Sequence, residues 1–373
     1  MPSVVGRNVT RRSVASDVAA LLDSPEVSAL VAELEALRWT GQKGYGARAL
    51  VGACLVKSLY AIPTWSRTAR LIAEHDALQD ALGAAPSQWA CYRFCCKLRE
   101  HSRALADCLD SITSALREEC PRYGVDVAID ASDLTAYANG QRYLSKNGPE
   151  RERYSDPDAS WGHRSAVSTR KGGGFYGYKL HLAACSRTGL PVAWQVETAR
   201  RHESSMAAAI LDLTAARGFA PETATLDKGY DVGPVYDACE AHGCRPIIPL
   251  RNVKAKTSPG PPTCEHGVWT FAGTDVKRNQ TKWRCPTGEC APASKWLKAS
   301  RRDPLIPRGT KRWRDLYRGR ASVEREFGRL KMDYGLAPLR TRGLARVRLH
   351  ADLTMLARLS QALARARAVP LAA

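Results

Sequence analysis

Three carboxylates and one patterned segment carry most of the chemical potential of this 373-residue chain. Asp130 closes an alternating apolar run (VAIDAS) and Asp227 closes a shorter one (ATLDKGYD). Carboxylate oxygens are the donors that hard divalent cations demand, and the ends of strands are where ligands gather in open sheets. Taken singly, an aspartate at a strand end is more simply a turn or cap residue. The third element shifts that balance. At about 100° per residue, Tyr317, Arg320, Glu324 and Lys331 fall within an arc of roughly 60°, so one helix face would carry all four. Val323, Phe327 and Leu330 form the adjoining apolar strip, which would pack on a sheet and hold the polar face at its edge. Glu326 points to the opposite side, so the pattern selects Glu324 over its near neighbour. A merely solvated face would select no such set, whereas Arg320 and Lys331 beside a carboxylate suit phosphate groups, with Arg able to bind them in a fork. Asp126 and Asp133 flank Asp130, and Asp133 is the alternative first carboxylate.

These residues need elements to position them. Up to about residue 120 the chain has helical periodicity, with Ala- and Leu-rich segments broken at Gly41 to Gly44, Pro63 and Pro86. Within it, Ser87 to Arg99 (SQWACYRFCCKLR) opens on a good N-cap and carries Arg93, Lys97 and Arg99 among aromatics. That segment reads equally as a helix lying on DNA or as a packed helix with solvated charges. After Gly124 the texture changes to strands at Val125 to Ser132, Phe175 to Ser186 and Leu190 to Thr198, the last two joined through Thr188-Gly189 as a hairpin. A helix over Glu203 to Arg217, a strand at Thr223 to Leu226, a helix capped by Asp231 and a strand at Arg245 to Leu250 follow. His202 and Glu203 have a simple explanation as a helix N-terminus. Residues 252 to 310 have little periodicity and read as an inserted loop or small subdomain, after which one helix from Trp313 to Lys331 closes the unit.

The order βββαβαβα, interrupted before its last helix, is that of the ribonuclease H-like α/β fold with a mixed sheet, here preceded by an all-α domain. The expected domains are 1–122, a helical DNA-binding domain; 123–251, the first part of the catalytic core; 252–310, the insertion; and 311–373, the final core helices with a basic C-terminal segment.

Charge and cysteine content narrow the partners. Lys and Arg outnumber Asp and Glu by 56 to 37, a formal charge of +19 that favours a polyanion, nucleic acid first. Residues 301 to 350 hold fifteen Lys or Arg against five Asp or Glu. The first residues lack the apolar core of a signal peptide, and the longest apolar stretch, Ala49 to Pro63, is interrupted by Lys57, so a cytoplasmic protein without membrane contact is expected. Most of the twelve cysteines are then reduced, buried small hydrophobes. Cys264-x-His266 with Cys285-x4-Cys290 supplies four soft ligands that could hold a structural zinc; unligated thiols in a loop are the plainer reading. The flanks Arg251 to Lys256 and Lys295 to Arg302 are basic in either case.

The spacing Y-x2-R-x3-E-x6-K, at Tyr317, Arg320, Glu324 and Lys331, resembles the signature of DDE-type transposases of bacterial insertion sequences. The resemblance extends to D-K-G-Y-D at Asp227 to Asp231, to the strand ending in Asp130, and to the helical region Tyr45 to Leu98, which looks like these transposases' N-terminal domain. It implies that Asp130, Asp227 and Glu324 are catalytic and bind two Mg2+ or Mn2+ ions. It implies cleavage by water at the element's terminal inverted repeats, then attack on target DNA by the freed 3′-hydroxyl. Tyr317, Arg320 and Lys331 would lie along the DNA, as would Arg93 and Lys97, and His202 and Glu203 would sit where related enzymes often have a polar loop near the metals. A homo-oligomer on double-stranded DNA, associated with the bacterial nucleoid, is implied as well. Two other readings remain: a ribonuclease H-like nuclease or resolvase that cuts without joining, and a catalytically inactive DNA-binding remnant. A zinc-ribbon interaction protein would leave most of the chain unexplained.

Overall fold

The computed structural model describes residues 13–37, 44–164, 171–251, 261–299, 301 and 304–368. The first twelve residues, the break at Gly41, the basic residues Lys254, Lys256 and Arg302, and residues 369–373 of the C-terminal segment lie outside the described residues. Two compact units are present: one comprises the chain to Glu119 with Leu330–Thr341 and the segment from Ala345, the other Cys120–Arg329 with Arg342–Leu344.

The first unit is helical: α1 (Val14–Leu22), α2 (Pro25–Ala36), α3 (Ala47–Leu59), α4 (Trp65–Glu74), α5 (Asp76–Leu82), α6 (Gln88–Glu100) and α7 (Ser102–Glu119). Ser13, Thr64 and Ser87 cap α1, α4 and α6, each side-chain oxygen accepting a backbone N–H from the first turn. α3 is the centre, buried on nearly every side because its residues are small or apolar all round. At Gly52 a Cβ would stand 2.7 Å from Leu82 Cγ, so glycine sets the closest approach of α3 to α5.

The second unit carries a mixed sheet built from β1 (Asp126–Thr135), β2 (Ser160–Arg164), β3 (Gly173–Cys185), β4 (Pro191–Thr198), β5 (Thr223–Thr225) and β6 (Arg245–Ile247). Its order is β2-β3-β1-β5-β6, with β4 also on β3. β3 is antiparallel to β1, β2 and β4, whereas β1, β5 and β6 run parallel. The helices α8 (Ala207–Ala216) and α9 (Gly233–Ala241) lie between β4 and β5 and between β5 and β6 in the chain, as the sequence predicts. Ile129, Tyr178, Leu180, Leu182, Val192 and Ala224 make the sheet's interior.

Three expectations need adjustment, and one open alternative is decided. The strand β2 is additional: its sequence SWGHR has no apolar run, and its residues are exposed or half-buried. An edge strand of that kind is held by pairing to β3 alone, which leaves little hydrophobic signal. The cap of α9 is Val232, not Asp231. Asp231 is instead buried, accepting from the Tyr236 hydroxyl (2.9 Å) and the Arg251 amide (2.9 Å). Of the two forms expected for the insertion, loop or small subdomain, residues 261–299 take the second, with β7 (Thr263–Cys264), β8 (Gly267–Val268), β9 (Thr270–Asp275), β10 (Gln280–Arg284) and β11 (Ser294–Lys298). The single closing helix is two, α10 (Lys311–Arg318) and α11 (Ala321–Met332). The joint falls at Gly319, where a Cβ would meet the Leu316 carbonyl at 2.9 Å and Ser186 Cβ at 3.0 Å. The chain then returns to the first unit, whose last helix is α12 (Leu344–Ala368). Arg367 of α12 forks onto Glu26 of α2 at 2.6 and 3.1 Å.

Gly177 gives a test of this topology. It pairs with Thr135 of β1, and a Cβ there would overlap the Leu134 carbonyl oxygen and lie 2.8 Å from the Ala136 nitrogen, both rigid backbone atoms. Gly177→Ala should therefore cost about 3 kcal/mol. Gly328→Ala, inside α11 with nothing within 4 Å, should instead add about 0.5–1 kcal/mol. Urea midpoints of the two variants moving in the same direction would contradict the β1–β3 register.

Candidate active site

β1 and β5 pair in parallel up to Ala128 and Thr225. Asp130 and Asp227 each stand two residues beyond that last pair, so both emerge at the same edge of the parallel part of the sheet. β1 does not stop there: it runs on to Thr135 against β3, which places Asp130 mid-strand rather than at a strand end. One Asp130 oxygen, Oδ1, accepts the Ala131 amide at 2.8 Å, and Oδ2 accepts Arg320 Nη2 at 3.1 Å. Only 14% of the side chain is exposed. Burial pushes the Asp130 carboxyl up to about 7, against the pull of the Arg320 guanidinium and the Ala131 amide; the carboxylates of Asp227 and Glu203 add to the rise.

Asp227 also performs the plain structural role, its Oδ1 accepting the Gly229 amide at 2.7 Å to cap a 3-10 turn over Lys228–Tyr230. Glu324 lies exposed in the first turn of α11 and accepts Arg320 Nη1 at 2.7 Å. Arg320 sits at the α10–α11 joint and thereby bridges Asp130 and Glu324 across the unit. Burial works to lower the pKa of Arg320, but Asp130 and Glu324 more than offset it, so the net shift is upward. Tyr317, on α10, stacks on Trp313 with centroids 4.9 Å apart. Its hydroxyl pKa is raised by burial and, in spite of Arg320, by Asp227, Glu324 and Asp130.

The strip Val323, Phe327 and Leu330 is buried as the pattern predicts. Glu326 is fully buried and paired with Arg329 at 3.3 Å, away from Arg320. Asp133, by the two-residue alternation of β1, lies on the opposite face from Asp130, and it binds Arg164 of β2 at 3.0 Å. Asp126 accepts the Thr223 hydroxyl at 2.6 Å and faces Arg122 at 3.4 Å.

Two further residues belong here. Glu203 binds Lys179 Nζ of β3 at 2.9 Å and adds its charge to the field at Asp130. Tyr230 is fully buried; that burial, then Asp130, Glu203 and Asp227, hold its hydroxyl pKa well above the usual range. The sequence offered a signal for Glu203, the acid opening the helix after β4, and His202 does cap that turn by accepting the Ser204 amide. Nothing in sequence marks Tyr230 beyond its place in D-K-G-Y-D.

Lys331 follows Glu324 by two turns on α11 and is half-buried. Arg93 and Lys97 belong to the helical unit, exposed on α6 beside Trp89 and Tyr92, which are 63% and 48% exposed. In the β subdomain the sulfurs of Cys264, Cys285 and Cys290 lie within 4.8 Å of one another. They are the only such group of three potential ligands among the described residues; the carboxylates of Asp130, Asp227 and Glu324 do not converge so closely. All twelve cysteines are free thiols, most of them buried. No helix among the described residues is long and apolar enough to cross a membrane.

A family model described as "Transposase DDE domain" matches residues 124–359. The chain belongs to that family, and it is a DDE transposase in that sense. Among solved structures it is similar to one described as the cryo-EM structure of piggyBac transposase synaptic complex with hairpin DNA, with 12% identity and a TM-score of 0.40 over 99% of this chain and 80% of that one. No match was found among curated proteins.

Proposed function

We propose that this transposase is of the bacterial insertion-sequence type, and that it cleaves DNA at the element's terminal inverted repeats and joins the freed 3′ ends to target DNA. The observation that carries the reading is the Arg320 bridge beside two aspartates at one sheet edge. Asp130 and Asp227 emerge level with each other, and Arg320 ties Asp130 to Glu324. Tyr317, Arg320 and Glu324, with Lys331, then make up the Y-x2-R-x3-E-x6-K signature. The mixed sheet with α8, α9 and α11 is, on this reading, a ribonuclease H-like core beginning near residue 123, interrupted over 252–310 and resumed at 311.

The donor set suits Mg2+ or Mn2+: all three candidate ligands are carboxylates, and the Arg320 guanidinium already stands as a cation between two of them. Asp130, Asp227 and Glu324 would hold two such ions, which supply an activated oxygen nucleophile and stabilise the departing oxygen. Asp130 must shed its proton to serve, which its pKa near 7 allows at neutral pH and above. Arg320 keeps Asp130 and Glu324 oriented and would offer its guanidinium to a phosphate oxygen once metal ions take over the two carboxylates, with Tyr317 in the same electrostatic neighbourhood. The exposed strip Trp89, Tyr92, Arg93 and Lys97 on α6 offers a second DNA contact from the helical domain 1–122. A homo-oligomer would bring two element ends together.

The test is Mg2+- or Mn2+-dependent cleavage and joining of DNA carrying the element's own ends. Cleavage followed by joining is expected. Cleavage alone would replace the reading with a nuclease or resolvase, and binding without either reaction would replace it with an inactive DNA-binding relative.

A further inference from the structure

The β7–β11 subdomain has almost no apolar interior. Its buried hydrophobic residues are Trp269, Trp283 and Cys285, against which Cys264, Cys290 and Leu297 pack. The three-stranded sheet β9-β10-β11 and the hairpin β7–β8 share no strand pairing, and each strand has at most six residues. A structure this small rarely stabilises itself by burial alone and ordinarily needs a covalent or metal staple. Three of the six residues that make up its core cluster are cysteines.

Their arrangement decides which staple. Cys264 Sγ lies 3.9 Å from Cys285 Sγ, and Cys290 Sγ completes a set in which all separations are within 4.8 Å. Sulfurs at about 2.3 Å from a tetrahedral zinc ion stand roughly 3.8 Å apart, whereas a disulfide brings them to about 2.05 Å. Three mutually adjacent thiols also exceed what one disulfide can use. The three come from separate places: Cys264 from β7, Cys285 from the end of β10, and Cys290 from the following turn, so a shared ligand would tie the hairpin to the sheet. His266 sits in the β7–β8 turn between two carboxylates, with Nδ1 3.3 Å from Glu289 Oε2 and Nε2 3.4 Å from Glu265 Oε1, and its ring stands outside the close set of the three sulfurs. A carboxylate that keeps one ring nitrogen while the other turns to a metal is the usual arrangement of a histidine ligand.

We infer that Cys264, Cys285 and Cys290 bind one structural Zn2+ that clips the β7–β8 hairpin to the β9–β11 sheet, and that His266 turns from the Glu265 carboxylate to complete the ligand set. This site is separate from the carboxylates of Asp130, Asp227 and Glu324 and stands whether or not the chain cuts DNA.

The full chain, purified under reducing conditions from zinc-supplemented medium, should contain one zinc per chain. After removal by chelator, Co2+ should restore one equivalent with an absorption spectrum of tetrahedral coordination and a thiolate-to-cobalt charge-transfer band. Cobalt held by carboxylates gives no such band, so the active-site region cannot mimic the result. Cys264→Ser and Cys290→Ser should lose the band, and His266→Ala should keep it with weaker binding. Chelation should also expose residues 261–299 to protease. A chain that takes up no zinc, or cobalt without the charge-transfer band, would overturn the site even if a cysteine variant proved too unstable to purify. Unchanged affinity in His266→Ala would remove the histidine from the ligand set.

Discussion

Asp227→Asn and Glu324→Gln should each lower metal-dependent strand cleavage by on the order of a thousandfold, with DNA binding retained. Each substitution keeps the shape of the side chain and removes the charge that a divalent ion requires. An ion in such a site supplies several kcal/mol of transition-state stabilisation, and each 1.36 kcal/mol is a factor of ten in rate. The Gln variant can still accept the Arg320 hydrogen bond that Glu324 accepts at 2.7 Å, so loss of rate would not reflect a collapsed joint. Asp133→Asn is the matched comparison, since Asp133 is committed to Arg164 on the other face of β1. Single-turnover cleavage and binding by anisotropy, measured on the same DNA, separate the effects. Wild-type rates in Asp227→Asn or Glu324→Gln, or loss of cleavage in a folded Asp133→Asn, would require a different set of ligands.

Asp130→Asn should be inactive and yet more stable than the parent at pH 8, by up to about 4 kcal/mol. In the native chain Asp130 holds its proton to about pH 7, whereas an unfolded aspartate releases it near 3.9. Between those values the native state binds more protons than the unfolded one, so stability falls as pH rises through that window. About three pH units at 1.36 kcal/mol each give the size of the cost. Asparagine carries no such cost, so the gap between variant and parent should close as the pH drops toward 4. Mg2+ should raise the melting temperature of the parent at pH 8 more than that of the variant, which keeps only Asp227 and Glu324 of the three proposed ligands. A variant less stable than the parent at pH 8 would mean that Arg320 compensates the buried charge fully. Surrender of stability at a working site in this way is a common trade.

Much of this arrangement was readable from sequence because it rests on short-range periodicity. The alternation around Asp130 and Asp227 marked their strands, and the helical spacing of Val323, Phe327 and Leu330 marked the buried side of α11, leaving Glu324 outward. What could not be read depends on partners distant in sequence. Asp126, Asp130 and Asp133 are chemically alike in one dimension; Thr223, Arg320 and Arg164, up to 190 residues away, tell them apart. Glu203 read most simply as a helix-start acid, and only the resemblance set it near the metals, since its tie to Lys179 spans strands. The glycine at the helix break, Gly319, is matched to the approach of Ser186, again a tertiary contact. β2 and the β7–β11 subdomain left no hydrophobic pattern because they bury so little.

The bridge from Arg320 to Asp130 closes a span of 190 residues, and the whole β7–β11 subdomain lies inside it. Chains are made and fold from the N-terminus at about 5–20 residues per second, so β1 and β5 stand ready many seconds before α10 and α11 leave the ribosome. A product that ends before Thr310 would carry two of the carboxylates but neither Arg320 nor Glu324, and it would lack α12, the last helix of the unit that holds α6. On the proposed reading it would break no DNA, and the helical unit behind the α6 strip would be missing a buried helix. The order of the chain then acts as a lock: on that reading neither the capacity to grip DNA nor the capacity to cut it is complete until α10 to α12 are made.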